Sequence, residues 1–280
     1  MSRSPILSSG LSFARRLPLS GRVGLVLVLF WIIMAVAGPW LAPYSVGAFV
    51  DYDVFSGASR RFLLGSDYLG RDVLSRLLWG ARYTVFLGFG AALLASVTGT
   101  TLALTAAVRG GWADELLSRA MDTLISIPSK IFALVLVAAF GSSLTLLLLI
   151  PAITYVPGNF RIARALAMNL VSLDFVAVAR ARGEGALHIA CREVLPNMIH
   201  PLLADLGLRF VFIVLLLSGL SFLGLGVQPP YADLGSLVRE NISGLTEGAP
   251  AILMPALAIA SLTVGANLLI DALKPVEQRP

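Results

Sequence analysis

The residues best equipped for chemistry are few and lie close together. From Val178 to Asn197 the chain reads VARARGEGALHIACREVLPN, a stretch that holds His188, two glutamates and the single cysteine, Cys191, with His200 just beyond it. One thiol cannot form an intrachain disulfide, and two histidines with one thiol match no familiar zinc or di-iron spacing. Nucleophilic catalysis needs a nucleophile with a positioned base. Both histidines lie in the central loop, and the apolar runs on either side offer no Ser-His or paired-carboxylate arrangement at membrane depth, so an intramembrane hydrolase is excluded. No G-x-x-x-x-G-K-[ST] phosphate loop occurs, so the chain has no ATP site of that kind. Asp205 and Arg209, four apart, can pair on one helical face. They read as a helix-end ion pair at the cytoplasmic start of an apolar span. What remains is an island of arginines, acids and glycines, better suited to recognition than to reaction.

The elements around that island are made for lipid. The chain has 280 residues, 57% of them hydrophobic and 13% charged, with a mean hydropathy of +0.86. Soluble domains are about 45–50% apolar, so a polytopic membrane protein is expected. Five charge-free runs organise it: Val23 to Val50, Tyr83 to Val108, Ile131 to Phe160, Phe210 to Ala232 and Gly248 to Ile270. Each exceeds the roughly 20 residues that a spanning helix needs. The third is too long for one straight span across a core about 30 Å thick. It should break at Gly141-Ser142-Ser143, with the first of its two spans starting near Thr123 and Lys130 snorkelling from the end. Six spans result. The first run, preceded by Arg15, Arg16 and Arg22 and followed by Ala35-Val36-Ala37, has some look of a secretory leader. At 19 uncharged residues to Leu41, with Trp31 and Trp40, it is expected to stay as a span instead.

Lys/Arg counts set the orientation. With both termini inside, 15 of the 21 basic residues fall on the cytoplasmic side. Five of the other six lie between Arg60 and Arg82 in an external loop, an exception accompanied by Asp51, Asp53, Asp67 and Asp72. The net charge of +5 comes with neither a basic run nor stacking aromatics, so nucleic acid is no partner and membrane lipid is. The spans lack the mid-membrane acids of an ion relay, which counts against an ion-coupled secondary transporter, although backbone carbonyls could still bind sodium. Gly88, Ala92 and Ser96, with Ala95 and Gly99, place small residues four apart and permit close helix approach. Pro151 and Pro157 can bend the fourth span.

Within the island, Asp174 suits an N-cap or first turn, and Phe175, Val176, Val178 and Ala179 form an apolar strip on a short helix. Gly183-Glu184-Gly185 stops it. A second helix runs from Ala186 to Leu195, with Leu187, Ile189 and Ala190 apolar, until Pro196 ends or kinks it. Such a unit fits a groove on a partner, or lies on the inner leaflet, where Arg180 and Arg182 are equally at home.

The pattern Ala177-Val178-Ala179, three residues, Gly183, eleven residues, Leu195-Pro196 resembles the cytoplasmic loop of permease subunits of ATP-binding-cassette importers. LGSDYLGRDVLSRLLWGAR, from Leu64 to Arg82, resembles the segment before the second span in the oligopeptide, dipeptide and nickel branch. SGLSFLGLGVQPP, from Ser218 to Pro230, resembles the end of that branch's fifth span. The resemblance covers nearly the whole chain and fits the second, C-type permease of such systems. Ala177 stands where the usual glutamate begins the loop pattern and Val178 replaces the customary alanine, so no carboxylate role carries over. The ending NLLIDALKP, from Asn267, is about four residues shorter than the family's.

The resemblance implies an all-α integral membrane protein with six transmembrane helices, of the type I importer permease fold, with cytoplasmic N- and C-termini. It divides the chain into a cytoplasmic segment 1–22, a first transmembrane helix 23–43, an external loop 44–82, a five-helix permease core 83–270 with a cytoplasmic coupling loop at 161–202, and a tail 271–280. It implies a multi-pass protein of the inner membrane that imports peptides, or a related solute such as a nickel chelate or glutathione. The ATPase-coupling residues would be Ala177, Val178, Ala179, Arg180 and Gly183 for docking, Glu184 and Leu187 for the turn and its packing, and Leu195 and Pro196 for the stop that aims the fifth span. The implied partners are a second permease, two ATP-binding subunits and a periplasmic substrate-binding protein. The chain itself would bind no cofactor and catalyse no reaction, with ATP and Mg used by the partner ATPases.

Overall fold

A computed structural model describes residues 17–50, 53–246 and 248–273. Among the described residues ten α-helices follow in chain order: α1 (Leu19–Leu41), α2 (Val73–Arg109), α3 (Gly111–Ile125), α4 (Ser129–Phe140), α5 (Leu144–Val171), α6 (Asp174–Ala181), α7 (Ala186–His188), α8 (Leu195–Phe222), α9 (Leu234–Glu240) and α10 (Pro250–Leu273). A π-helical segment, Ile189–Val194, joins α7 to α8, and a 3-10 turn, Ile242–Leu245, follows α9. Among the described residues, five helices are long and apolar enough to cross a membrane: α1, α2, α5, the continuous run Ala186–Phe222 that contains α8, and α10. The pair α3 and α4 meets the same length and apolarity requirement only when taken together, bent by 82°, and brings the number to six if the two cross as one span.

The break between α4 and α5 falls where expected. Gly141 has φ +95°, which favours glycine, and the Ser143 hydroxyl accepts from the Leu146 N–H to cap α5. Other boundaries differ from the sequence reading. The first helix starts at Leu19 rather than 23 and ends at Leu41. The external loop ends at 72 rather than 82, because the Asp72 carboxylate accepts from the Ser75 N–H and hydroxyl (2.8 and 2.7 Å) and starts α2 there. The third span is not one helix from Thr123: Pro128 lacks an N–H and restricts Ile127, so the chain turns sharply and α4 has only 12 residues. Pro151 and Pro157 lie inside α5 without ending it. That helix runs past 161 to Val171, shortening the cytoplasmic loop at its start. The basic residues Arg3, Arg15 and Arg16, and Lys274 and Arg279 of the tail, lie outside the described residues.

The chain forms two compact units, one of residues up to Phe86 with those from Leu217 onward, the other Leu87–Leu216. In the first, α1 and α10 meet backbone to backbone. A side chain on Gly24 would stand 2.7 Å from the Gly265 carbonyl, and Trp31 Nε1 donates to Ser261 Oγ at 3.0 Å. The external basic exception is resolved in this unit. Arg71 and Arg76 are buried against Asp67 (2.8 and 2.9 Å) and Glu240 (3.0 and 2.5 Å), so two of its five charges are neutralised. At the end of α8, Leu225 N–H bonds the Leu220 carbonyl and Gly224 N–H that of Ser221, with Gly224 at φ +91°. The buried Asp233 carboxylate then accepts from Ser221, Val227, Gly235 and Ser236. In this way SGLSFLGLGVQPP becomes a rigid corner.

In the second unit, α2, α3, α5, α6 and α8 enclose one apolar cluster that includes Ala103, Ala106, Met121, Phe160, Ala163, Ala167 and Met198. The small residues of α2 do what their spacing suggests: Ala91, Ala92 and Ala95 are buried, and a side chain on Gly88 would meet Val214 at 2.8 Å.

Candidate functional site

The segment between α5 and α8 consists of a helix, a glycine turn and a π-to-α helix. Leu173, extended, precedes α6, and Asp174 is its first-turn acid rather than its cap, favourable at the positive end of the helix. Glu184 N–H bonds the Ala179 carbonyl (3.2 Å) and Gly183 N–H that of Arg180 (2.9 Å), with Gly183 at φ +81°. That pair of bonds around a left-handed glycine is a Schellman turn. No atom lies within 4 Å of where a Gly183 side chain would begin, so the turn requires the glycine for its backbone conformation and not for close approach.

The apolar strip expected along α6 is split between two faces. Val176 and Ala179 are buried and join Ile189, Ala190 and Val194 in the cluster of the second unit, with Phe175 packed at its edge. Val178 faces away, 54% exposed, beside exposed Ala177. Leu187, expected to pack the turn, is 79% exposed. Two apolar side chains thus stand outward on either side of the Gly183 turn. Arg180 reaches back to the Val108 carbonyl at 3.4 Å, a donor for one of the free carbonyls at the end of α2.

Glu184 lies 2.7 Å from Arg182 and 3.3 Å from His188 Nε2. Ligand-type atoms of Glu184, His188 and Glu193 fall within 4.8 Å of one another, because the wide i→i+5 turn rotates Glu193 back toward His188. With Glu184 engaged by Arg182, the trio reads as ionic packing of the turn. Leu195 packs partly against the cluster. Pro196 does not stop the helix as expected. The π segment runs straight into α8, its wide turn accommodating a ring that would otherwise press on the carbonyl one turn earlier.

Other polar contacts in this unit escaped the sequence reading. The Arg164 guanidinium grips both Asp114 oxygens at 2.5 Å, joining α5 to α3. Asp205 and Arg209 are not a helix-end pair. They sit near the middle of α8, each 6% exposed, with Arg209 Nε and Nη2 donating to the two Asp205 oxygens at 2.6 and 2.9 Å. The available hint was Asn159, a lone amide in an apolar run beside Gly158. An apolar cavity of about 420 Å³ lies beside α2 and α8, lined among others by Thr100, Thr105, Leu187 and Leu203.

Residues 99–276 match the family described as binding-protein-dependent transport system inner membrane components. The chain is 33% identical to the di/tripeptide transport system permease protein of Pseudomonas aeruginosa, over 97% of this chain and 91% of that one. It is 31% identical to the dipeptide transport system permease protein of Haemophilus influenzae, over 90% and 88%. To the glutathione transport system permease protein of Pectobacterium atrosepticum it is 33% identical, over 88% and 82%. The family match takes in the glycine turn, the π-to-α run and the Gly224 corner together. The chain belongs to the inner membrane components of binding-protein-dependent transport systems, as a multi-pass permease.

Proposed function

We propose that this permease is the membrane subunit of an ATP-driven importer of peptides, or of a related small solute such as glutathione or a nickel chelate, across the cytoplasmic membrane. One relative is named for di- and tripeptides, a second for dipeptides and a third for glutathione. In this reading a second permease pairs with the chain to complete the pore, two ATP-binding subunits seat the cytoplasmic loops, and a periplasmic binding protein delivers the solute. The chain is non-catalytic, and ATP and Mg belong to the ATPases. Closure of the ATPases on ATP moves α6 and the π segment, and α8, continuous with that segment, follows. The spans turn outward, and hydrolysis resets them.

The observation that carries the coupling role is the pair Val178 and Leu187, exposed apolar side chains flanking a rigid glycine turn on the side rich in arginine. An amphipathic helix offering such anchors suits a groove on a protein partner. Gentle detergent purification of a tagged copy from its native membrane, with mass spectrometry of what remains bound, tests the assembly. Recovery of two ATP-binding chains and a second permease is expected. Recovery of a lone chain or a homo-oligomer after crosslinking overturns the reading.

A further inference from the structure

We infer that Asp205, Arg209 and Asn159 form a polar joint that fixes the register of α8 on α5 and α2, so that movement of the cytoplasmic loop reaches three spans together. These are positioning residues, and the inference rests on the coupling role proposed above. Asn159 Nδ2 donates to Asp205 Oδ2 at 2.7 Å, and Arg209 Nη1 donates to the Tyr155 carbonyl at 3.2 Å, tying α8 to α5. Thr100 Oγ1 donates to Asn159 Oδ1 at 3.2 Å, tying α5 to α2. Two glycines make the approach possible. A side chain on Gly99 would begin 2.5 Å from Asn159 Oδ1, and one on Gly158 would begin 2.9 Å from Arg209 Nη1.

Stability does not explain this arrangement. A buried ion pair is often no better than apolar side chains of the same volume, which fill the space without desolvating charge. Direction is what it adds. Apolar attraction is non-directional, whereas the forked pair and the amide bonds, made by the buried side chains of Asn159, Asp205 and Arg209, are satisfied in one alignment only. A slide of α8 along α5 would break the 2.7 Å and 3.2 Å bonds together, so the helices shift as one body. Because α8 continues from the π segment, a push on α6 and that segment arrives at the joint undivided.

The test uses the full importer, with its ATPases, second permease and binding protein, in proteoliposomes, measuring solute taken up per ATP hydrolysed. The triple variant Asn159→Leu/Asp205→Leu/Arg209→Met keeps the core apolar and filled. It is expected to assemble and hydrolyse ATP under stimulation by loaded binding protein, while uptake per ATP falls about tenfold, within the range of coupling changes seen for residues between sites. Asn159→Leu alone, which leaves the ion pair intact, should fold regardless and lower the ratio by about threefold. A wild-type ratio in either variant, at matched assembly, overturns the inference. A fall in hydrolysis and uptake together, at unchanged ratio, also overturns it, since that is damage without uncoupling. Absence of any ATP-dependent uptake in the wild-type complex refutes the proposed function itself and removes the premise of the joint.

Discussion

Replacing Gly183 in turn by asparagine, alanine and valine separates a backbone requirement from a packing one. Gly183 sits at φ +81° with empty space where a side chain would start, so no substitution meets a clash and the whole cost is conformational. A left-handed residue with a β-carbon costs about 1–2 kcal/mol, asparagine less because its side chain bonds locally, and a β-branched residue more than alanine. Each 1.4 kcal/mol is tenfold in an equilibrium, so if docking selects the turned loop, affinity for the ATP-binding subunits should fall by a few-fold for asparagine, about fivefold to tenfold for alanine and about thirtyfold for valine. The assay is retention of those subunits by permease in nanodiscs as they are titrated, with uptake in parallel. Equal retention across the series refutes the argument, as does asparagine behaving worse than valine. Normal uptake by the valine variant at wild-type protein level would likewise remove Gly183 from the coupling path.

Further expectations follow from neighbouring contacts. Val178→Asp and Leu187→Asp alter exposed side chains and should leave detergent melting within about 0.5 kcal/mol of wild type while abolishing ATPase retention; loss of melting temperature instead would place these residues in the fold. Glu240→Ala leaves two buried arginines sharing Asp67 and should destabilise by about 3 kcal/mol, read as a lowered melting temperature, with an unchanged one counting against that network.

Legibility in the sequence followed the range of the interaction that decides each feature. The break at Gly141 to Ser143 and the stop at Gly183 rest on local conformational preference and could be read from residue types. The bend at Pro128 was hidden by the uninterrupted apolar run that follows it. The π segment could not be read, since over six residues its apolar spacing differs little from that of an α-helix, and Pro196 looked like a stop for that reason. Which of Val176, Val178 and Ala179 faces inward is decided by the apolar cluster that Val176 and Ala179 join, part of which comes from α2, remote in sequence. The depth of Asp205 and Arg209 depends on Asn159, 46 residues earlier, and the neutralisation of Arg71 and Arg76 on Glu240, more than 160 residues later. No window on the chain contains those partners. The family resemblance implied a coupling role for this loop, and the geometry leaves Val178 and Leu187 as its outward apolar side chains.

The most direct test of that face is a photoreactive amino acid placed singly at Val178, Leu187, Val176 and Ala179 in otherwise native membranes, with illumination and identification of the adducts. Crosslinks to an ATP-binding subunit at Val178 and Leu187 that change with nucleotide, and adducts confined to this chain at Val176 and Ala179, are predicted. Adducts to lipid alone at Val178 and Leu187 would contradict the account and leave the loop as a pair of helices on the inner leaflet.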